Sequence, residues 1–170
     1  GFQVLFNFIS LPSAFCSTQR ITIKGVIGIG THLNKSTTAI LNVNTGEVAV
    51  QVFIAAFEFD NALMQEHFNE NYMDSHEYPK GIFKGELKDF SKEKLTSNNS
   101  FDLNGTLTIK GIEKEIQTKV YVKEENNLLL VTANFSVKPE NFGINIPSIV
   151  QDKIAKYIQI SIEYELIEKK

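Results

Sequence analysis

The feature that most constrains this chain is an alternation of apolar and polar residues with a period of two, which returns repeatedly along its 170 residues. In the last such segment Ile158, Ile160, Ile162, Tyr164 and Leu166 alternate with Gln159, Ser161, Glu163 and Glu165 without a miss. Successive side chains of a strand point to opposite faces, so this pattern buries one face of a sheet and leaves the other to water. The same period runs through Leu103, Gly105, Leu107 and Ile109, through Ile116, Thr118, Val120 and Val122, and through Leu129, Val131, Ala133, Phe135 and Val137. Turn signals separate these runs at Lys110-Gly111 and at Glu125-Asn126-Asn127. Earlier, Ile21, Ile23, Gly25, Ile27 and Ile29 predict a first strand kinked at Gly25. Val48, Val50, Val52, Ile54 and Ala56 predict a second, after the Asn44-Thr45-Gly46 turn, and Phe83, Gly85 and Leu87 mark a third. Composition agrees, because 19 Ile, 11 Val and 13 Phe suit pleated sheets better than helices.

One segment departs from this period. Across residues 60–73, Leu63, Met64, Phe68 and Tyr72 fall at helical spacing, with Asp60 or Asn61 as a cap and Pro79 as the stop. A second short helix is possible over 149–156, after Pro147. Short turns between strands, with one inserted helix, predict an all-β antiparallel sheet closed into a barrel, which leaves no unpaired edge. The length suits a single domain. Lys plus Arg number 17 and Asp plus Glu 20, a net charge of -3, which argues against binding a phosphate backbone. The single cysteine, Cys16, can make no internal disulfide and has no partner cysteine for a zinc site.

The uncharged stretch over residues 2–15, FQVLFNFISLPSAF, is too short and too broken by Pro12 to be a transmembrane helix. Three readings are open for it: the remnant of a secretory leader, an ordinary N-terminal strand, or a lipidation signal at Cys16. Residues 1–19 are accordingly set apart as a leader remnant or extension, and 20–170 as the single β-barrel domain.

Three motifs occur together and in order: FEFDNALMQEHFNENYMDSHEYPKGIFKG over 57–85, GTLTIKGIEKEI over 105–116 and FSVKPENFGINIPSIV over 135–150. With the helix carrying an acidic-His-aromatic run, the Tyr-Pro-x-x-x-Phe lead into a strand, the L-T-I-x-G turn and the closing Ile-rich strand, the chain resembles the YceI-like family of bacterial proteins. The resemblance spans roughly residues 20–166. It implies a lipocalin-like barrel of eight antiparallel strands, an elongated cavity for a polyisoprenoid or similar long amphiphile, export to the periplasm or beyond, and no catalysis.

The residues themselves are compatible with that expectation. An eight-stranded barrel is just wide enough to be filled by side chains or to hold one slender ligand. The expected wall is Val50, Val52, Ile54, Ala56 and Phe83 from the earlier strands, Gly105, Leu107 and Ile109 from the middle, and Val131, Ala133, Phe135, Ile160 and Ile162 from the last two. Small residues among them (Ala56, Gly105 and Ala133, with Gly85) would leave a tunnel, and a polar ligand head would sit at a mouth formed by His67, Tyr72, Tyr78, Asn141 and Asn145. Phe57 and Phe59 are read as a plug between helix and barrel, with a cavity gate as the alternative. No cofactor or metal is expected: Glu66, His67 and Glu70 are the nearest approach to a metal cluster and read as a solvated helix face. No Gly-x-Ser-x-Gly elbow is present. GVIGIG over 25–30 lacks the helix that would make it a nucleotide loop. The reading is a non-enzymatic binder of a long apolar ligand, with no nucleic-acid partner and no integral membrane span. The alternative is a barrel filled by its own side chains that self-associates, and a homodimer through Phe53 and Phe57 is possible in either case.

Overall fold

The structure, a computed structural model, describes residues 14–24, 31–96, 99–150, 154 and 156–168. Within them eight antiparallel strands close into a barrel, each pairing with its sequence neighbours and the last with the first. The strands are β1 (Ala14–Lys24), β2 (Thr31–Asn42), β3 (Glu47–Phe53), β4 (Lys80–Leu87), β5 (Ser100–Ile109), β6 (Ile112–Glu125), β7 (Leu128–Val137) and β8 (Ile158–Glu168). Closure runs from Phe15 opposite Glu168 to Lys24 opposite Gln159. Two tight hairpins have both central residues in the left-handed region, Lys110 and Gly111 at φ 53° and 76°, and Asn126 and Asn127 at φ 53° and 66°. That is the turn geometry whose twist matches paired strands.

Several expectations need correction. Among the described residues the barrel begins at Ala14, so residues 14–19 belong to β1 and not to a separate extension. The leader reading of residues 1–13, and the strand and glycine-loop readings of 25–30, lie outside the described residues. β2 was not expected, because its sequence THLNKSTTAILN hides the alternation behind polar residues that the fold nonetheless buries. His32, Asn34 and Thr37 are all buried. Asn34 explains how: its Nδ2 donates to the Phe53 carbonyl at 2.7 Å and its Oδ1 accepts from the Ser36 amide at 2.7 Å. β3 ends at Phe53, and Ile54–Ala56 turn away as a 3-10 segment.

The inserted helix is shorter than predicted. The α-helix α1 spans Ala62–His67, capped by the Asn61 side chain, which accepts from the Met64 amide at 3.1 Å. It then widens into a π turn over Phe68–Tyr72, closed by the Met73 amide on the Phe68 carbonyl. Of the possible second helix, the described residues show a 3-10 turn at Ser148–Val150, and residues 151–153 and 155 lie outside them. Among the described residues no helix is long and apolar enough to cross a membrane.

Gly85 and Gly105 sit directly opposite each other on β4 and β5. A Cβ on Gly105 would collide with the Lys84 carbonyl and lie 2.5 Å from Cζ of Phe83, and one on Gly85 would lie 2.8 Å from Cε1 of the same ring. The glycine pair is thus the seat of the Phe83 ring and does not open a tunnel, contrary to the sequence expectation. A second contact ties β8 to β2 across β1. Thr37 Oγ1 donates its only proton to the Gln51 carbonyl at 2.9 Å, so the Tyr164 hydroxyl 2.7 Å away donates to Thr37.

Three outcomes follow for equilibrium unfolding. Gly105→Ala should destabilise the fold by about 1–3 kcal/mol, as overpacking of a fitted site does. Thr37→Val leaves both the Tyr164 donor and the Gln51 carbonyl without this partner and should cost about 2 kcal/mol, whereas Tyr164→Phe, which leaves the Thr37–Gln51 bond intact, should cost about 1 kcal/mol. Burial raises the Tyr164 pKa above its ordinary value of 10.0, and the Thr37 bond only partly opposes this. Above pH 10 the unfolded chain therefore releases this proton before the folded one. Stability should be whole below pH 10 and fall above it by at most about 1.4 kcal/mol per pH unit. Tyr164→Phe should lack that alkaline loss, and an unchanged profile in the variant would contradict the burial account.

Candidate functional site: an apolar cavity in the barrel

Alternation along β3, β5, β7 and β8 turns Val50, Val52, Ile109, Val131, Phe135, Ile160 and Ile162 toward the barrel axis, where a filled core would bury them. They are instead only half-buried. The exposed part faces a cavity of about 190 Å³ inside the barrel, bounded by all seven. This geometry runs against a barrel filled by its own side chains.

Most of the wall expected from the sequence borders this space. Val50, Val52, Ile54, Phe83, Leu107 and Ile109 do so on one side, and Val131, Ala133, Phe135, Ile160 and Ile162 on the other. Two expected residues do not. Ala56 lies in the 3-10 segment beyond β3, where the alternation that would turn it inward has ended. Gly105 is covered by the Phe83 ring. Sequence reasoning missed Ala39 and Leu41 of β2, which border the cavity. A brief apolar run, Ala39-Ile40-Leu41, was the only signal for them.

The wall carries no charged side chain and no histidine among the described residues. Its hydroxyls belong to Tyr72, Thr118 and Tyr164. Thr118 donates to the Asn134 carbonyl at 3.3 Å and Tyr164 to Thr37.

The expected polar mouth does not assemble. Of its five residues only Tyr72 borders the cavity. His67 is the half-exposed last residue of α1. Tyr78 packs its ring over Gly111 at the β5–β6 turn, 3.0 Å from where a Cβ would stand. Asn141 and Asn145 are exposed along the β7–β8 connection. These side chains come from two separate connections, β3–β4 and β7–β8, and among the described residues no hydrogen bond or ring contact joins them.

The cover over this end of the barrel is aromatic. Phe57 meets Phe68 edge-on with centroids 5.8 Å apart, and Phe59 lies 5.0 Å from Phe68 and stacks on His32 at 4.0 Å. Backbone bonds pin this cluster down: the Glu58 amide donates to the Leu33 carbonyl at 2.8 Å, and the Phe59 amide to Gln65 Oε1 at 3.1 Å. Phe57 is 5% exposed and so is not available to the dimer patch proposed from the sequence, whereas Phe53 is 42% exposed. Glu66, His67 and Glu70 form no metal-holding group among the described residues.

Solved structures share this architecture. A polyisoprenoid binding domain from Saccharophagus degradans, implicated in plant cell wall breakdown, superimposes with a TM-score of 0.77 at 10% identity, over 94% of this chain and 100% of that one. Burkholderia cenocepacia BcnA gives 0.71 at 15% identity, over 90% and 95%. The Campylobacter jejuni YCEI protein gives 0.64 at 19%, over 81% and 83%. At these identities the likeness shows the fold alone. A comparison with the curated proteins gives no match. The YceI-like domain model, however, matches residues 15–166, from the second residue of β1 to within two residues of the end of β8. By that match across nearly its whole length, the chain belongs to the YceI-like family.

Proposed function

We propose that this protein is a non-enzymatic carrier that binds one long-chain apolar or amphiphilic molecule, a polyisoprenoid or a similar lipid, inside its barrel, for storage, transport or protection in the cell envelope. The observation that carries the reading is the uncharged cavity of about 190 Å³. A void of that size left unfilled by the protein costs on the order of 4–5 kcal/mol at about 24 cal/mol per Å³. That is a large share of the 5–15 kcal/mol by which domains are typically stable, and a barrel with no guest gains nothing in return. An apolar chain gains about 0.8 kcal/mol per methylene removed from water, so a few isoprene units suffice for useful affinity without any charged partner.

Two further points support the reading. Among the described residues the wall has no histidine or carboxylate to pair with its hydroxyls as a catalytic base, and a structural neighbour from Saccharophagus degradans is described as a polyisoprenoid binding domain. The envelope location rests on the family resemblance and on the apolar, uncharged run at residues 2–15.

Val131→Phe tests the proposal, because Val131 is half-buried and has open space before it, while Ala133 at 1% exposure is already covered. The variant should keep its circular dichroism spectrum and unfold within about 1.5 kcal/mol of the parent. Its affinity for farnesol or geranylgeraniol, read by displacement of a fluorescent fatty-acid probe, should fall at least about tenfold, or 1.4 kcal/mol. A folded variant that binds as the parent does would contradict binding inside the barrel.

A further inference from the structure

The connections that cover the α1 end of the barrel put apolar side chains into water. At this end β3, β5 and β7 finish and β4, β6 and β8 start. Among the described residues seven large apolar side chains are exposed, and five of them stand here: Phe53, Leu63, Ile112, Ile149 and Tyr157. The other two are Tyr121, along β6, and Ile167, at the far end of β8. The connections at this end touch one another. The Tyr78 ring of the β3–β4 connection lies against Gly111, and Ile112 Cδ1 lies 2.9 Å from where a Cβ of Gly143 in the β7–β8 connection would stand. A single exposed leucine needs no explanation, but a connected apolar rim at the end of an apolar cavity does.

Charge and closure divide this rim in two. The β3–β4 connection carries Glu58, Asp60, Glu66, Glu70, Asp74 and Glu77, with no lysine or arginine between Ile54 and Pro79. Where it borders the cavity, Ile54, Phe57, Phe68 and Met73 are buried and Tyr72 alone is half-exposed. The β7–β8 connection is the reverse. Its Pro139, Ile146 and Ile154 border the cavity and are half-exposed, and between the last two stands Ile149, 88% exposed and outside the cavity wall. On this side, with the start of β6, the described lysines Lys110, Lys114, Lys138 and Lys156 outnumber Glu113 and Glu140. Lys138 Nζ sits 5.7 Å from the centroid of the exposed Tyr157 ring and 2.7 Å from Glu140. Apolar tips flanked by an aromatic ring and lysines suit the interface of a phospholipid layer, where hydrocarbon inserts, the ring rests at headgroup depth and ammonium groups meet phosphates. A stable protein interface takes about 800 Å² of continuous surface from each partner. Side chains that rise singly from separate connections fit it less well than they fit a fluid layer.

Resting on the function proposed above, we propose that the β7–β8 side of this rim docks on the surface of a phospholipid membrane. Ile112, Ile149 and Tyr157 insert, the lysines face the phosphates, and the acidic β3–β4 connection is held away from them. The guest then passes between bilayer and cavity beneath the β7–β8 connection, past Ile146 and Ile154. An apolar chain released into water gives up the same transfer free energy that holds it in the cavity, so direct passage removes that barrier.

The chain has no tryptophan, so a single introduced one reports on its own site. In the whole protein, Ile149→Trp should shift its emission to shorter wavelength when vesicles of phosphatidylethanolamine and phosphatidylglycerol are added, whereas Leu63→Trp, on the acidic side, should not shift. Ile149→Asp should weaken vesicle binding at least about tenfold, the effect of withdrawing one isoleucine from hydrocarbon, and slow the transfer of a prenol from vesicles to the protein by a similar factor. Its equilibrium affinity for the same prenol added without vesicles should match the parent's, because Ile149 does not border the cavity. No shift at residue 149, an equal shift at residue 63, or a folded Ile149→Asp protein that binds vesicles as the parent does would overturn the docking surface while leaving barrel binding intact. An emission shift that appears without vesicles as protein concentration rises would assign the rim to a second copy of the chain and overturn the membrane reading. Vesicle binding with no uptake of prenol from any source would support the docking surface and overturn the proposed function, and with it the passage of a guest.

Discussion

Closure of the eight-stranded ladder is the constraint from which the rest of the molecule follows. Once β8 pairs with β1, strand number and stagger set the diameter, and the chain has no further freedom to collapse inward. Side-chain volume alone then decides whether the interior is solid or hollow. At the end of the barrel that holds the β2–β3 and β6–β7 turns, Leu41, Leu87, Leu103 and Leu166 are buried, as are Phe90 and Phe101. Higher up, Val50 and Val52 of β3 and Val131, Phe135, Ile160 and Ile162 of β7 and β8 stay half-buried around the cavity. The rigid ladder prevents that cavity from being squeezed out.

Much of the architecture is visible in the residues because half-buried strands must alternate. β7 and β8 alternate plainly, and the inward parity inferred for them supplies Val131, Ala133, Phe135, Ile160 and Ile162 to the wall. β2 escapes the same reasoning for a physical reason. His32, Asn34 and Thr37 are buried, and at least Asn34 and Thr37 are buried with backbone and side-chain partners that compensate their polarity. A periodicity argument cannot anticipate such partners, since they come from Phe53, Gln51 and Tyr164, residues distant in the chain.

The glycines mislead in the opposite sense. A small residue at an inward position suggests free space, but Gly85 and Gly105 face each other and the space is taken by Phe83, a neighbour on the same strand as Gly85. Of the residues expected at a mouth, only Tyr72 borders the cavity. Which loop residues converge depends on how the connections fold over the barrel end, and no local pattern in 138–157 or 74–79 encodes that. The helix was recognisable from its apolar spacing, yet its widening starts at Phe68, whose ring packs against Phe57 and Phe59, residues outside the helix.

The central claim is that the barrel interior is a compartment for one apolar chain. Native mass spectrometry of the protein as isolated from cells, before and after extraction with organic solvent, tests it most directly. The account predicts a stoichiometric adduct that solvent removes and that proves on identification to be a long-chain isoprenoid or related lipid. A bare mass that stays bare after incubation with prenols and fatty acids would contradict it.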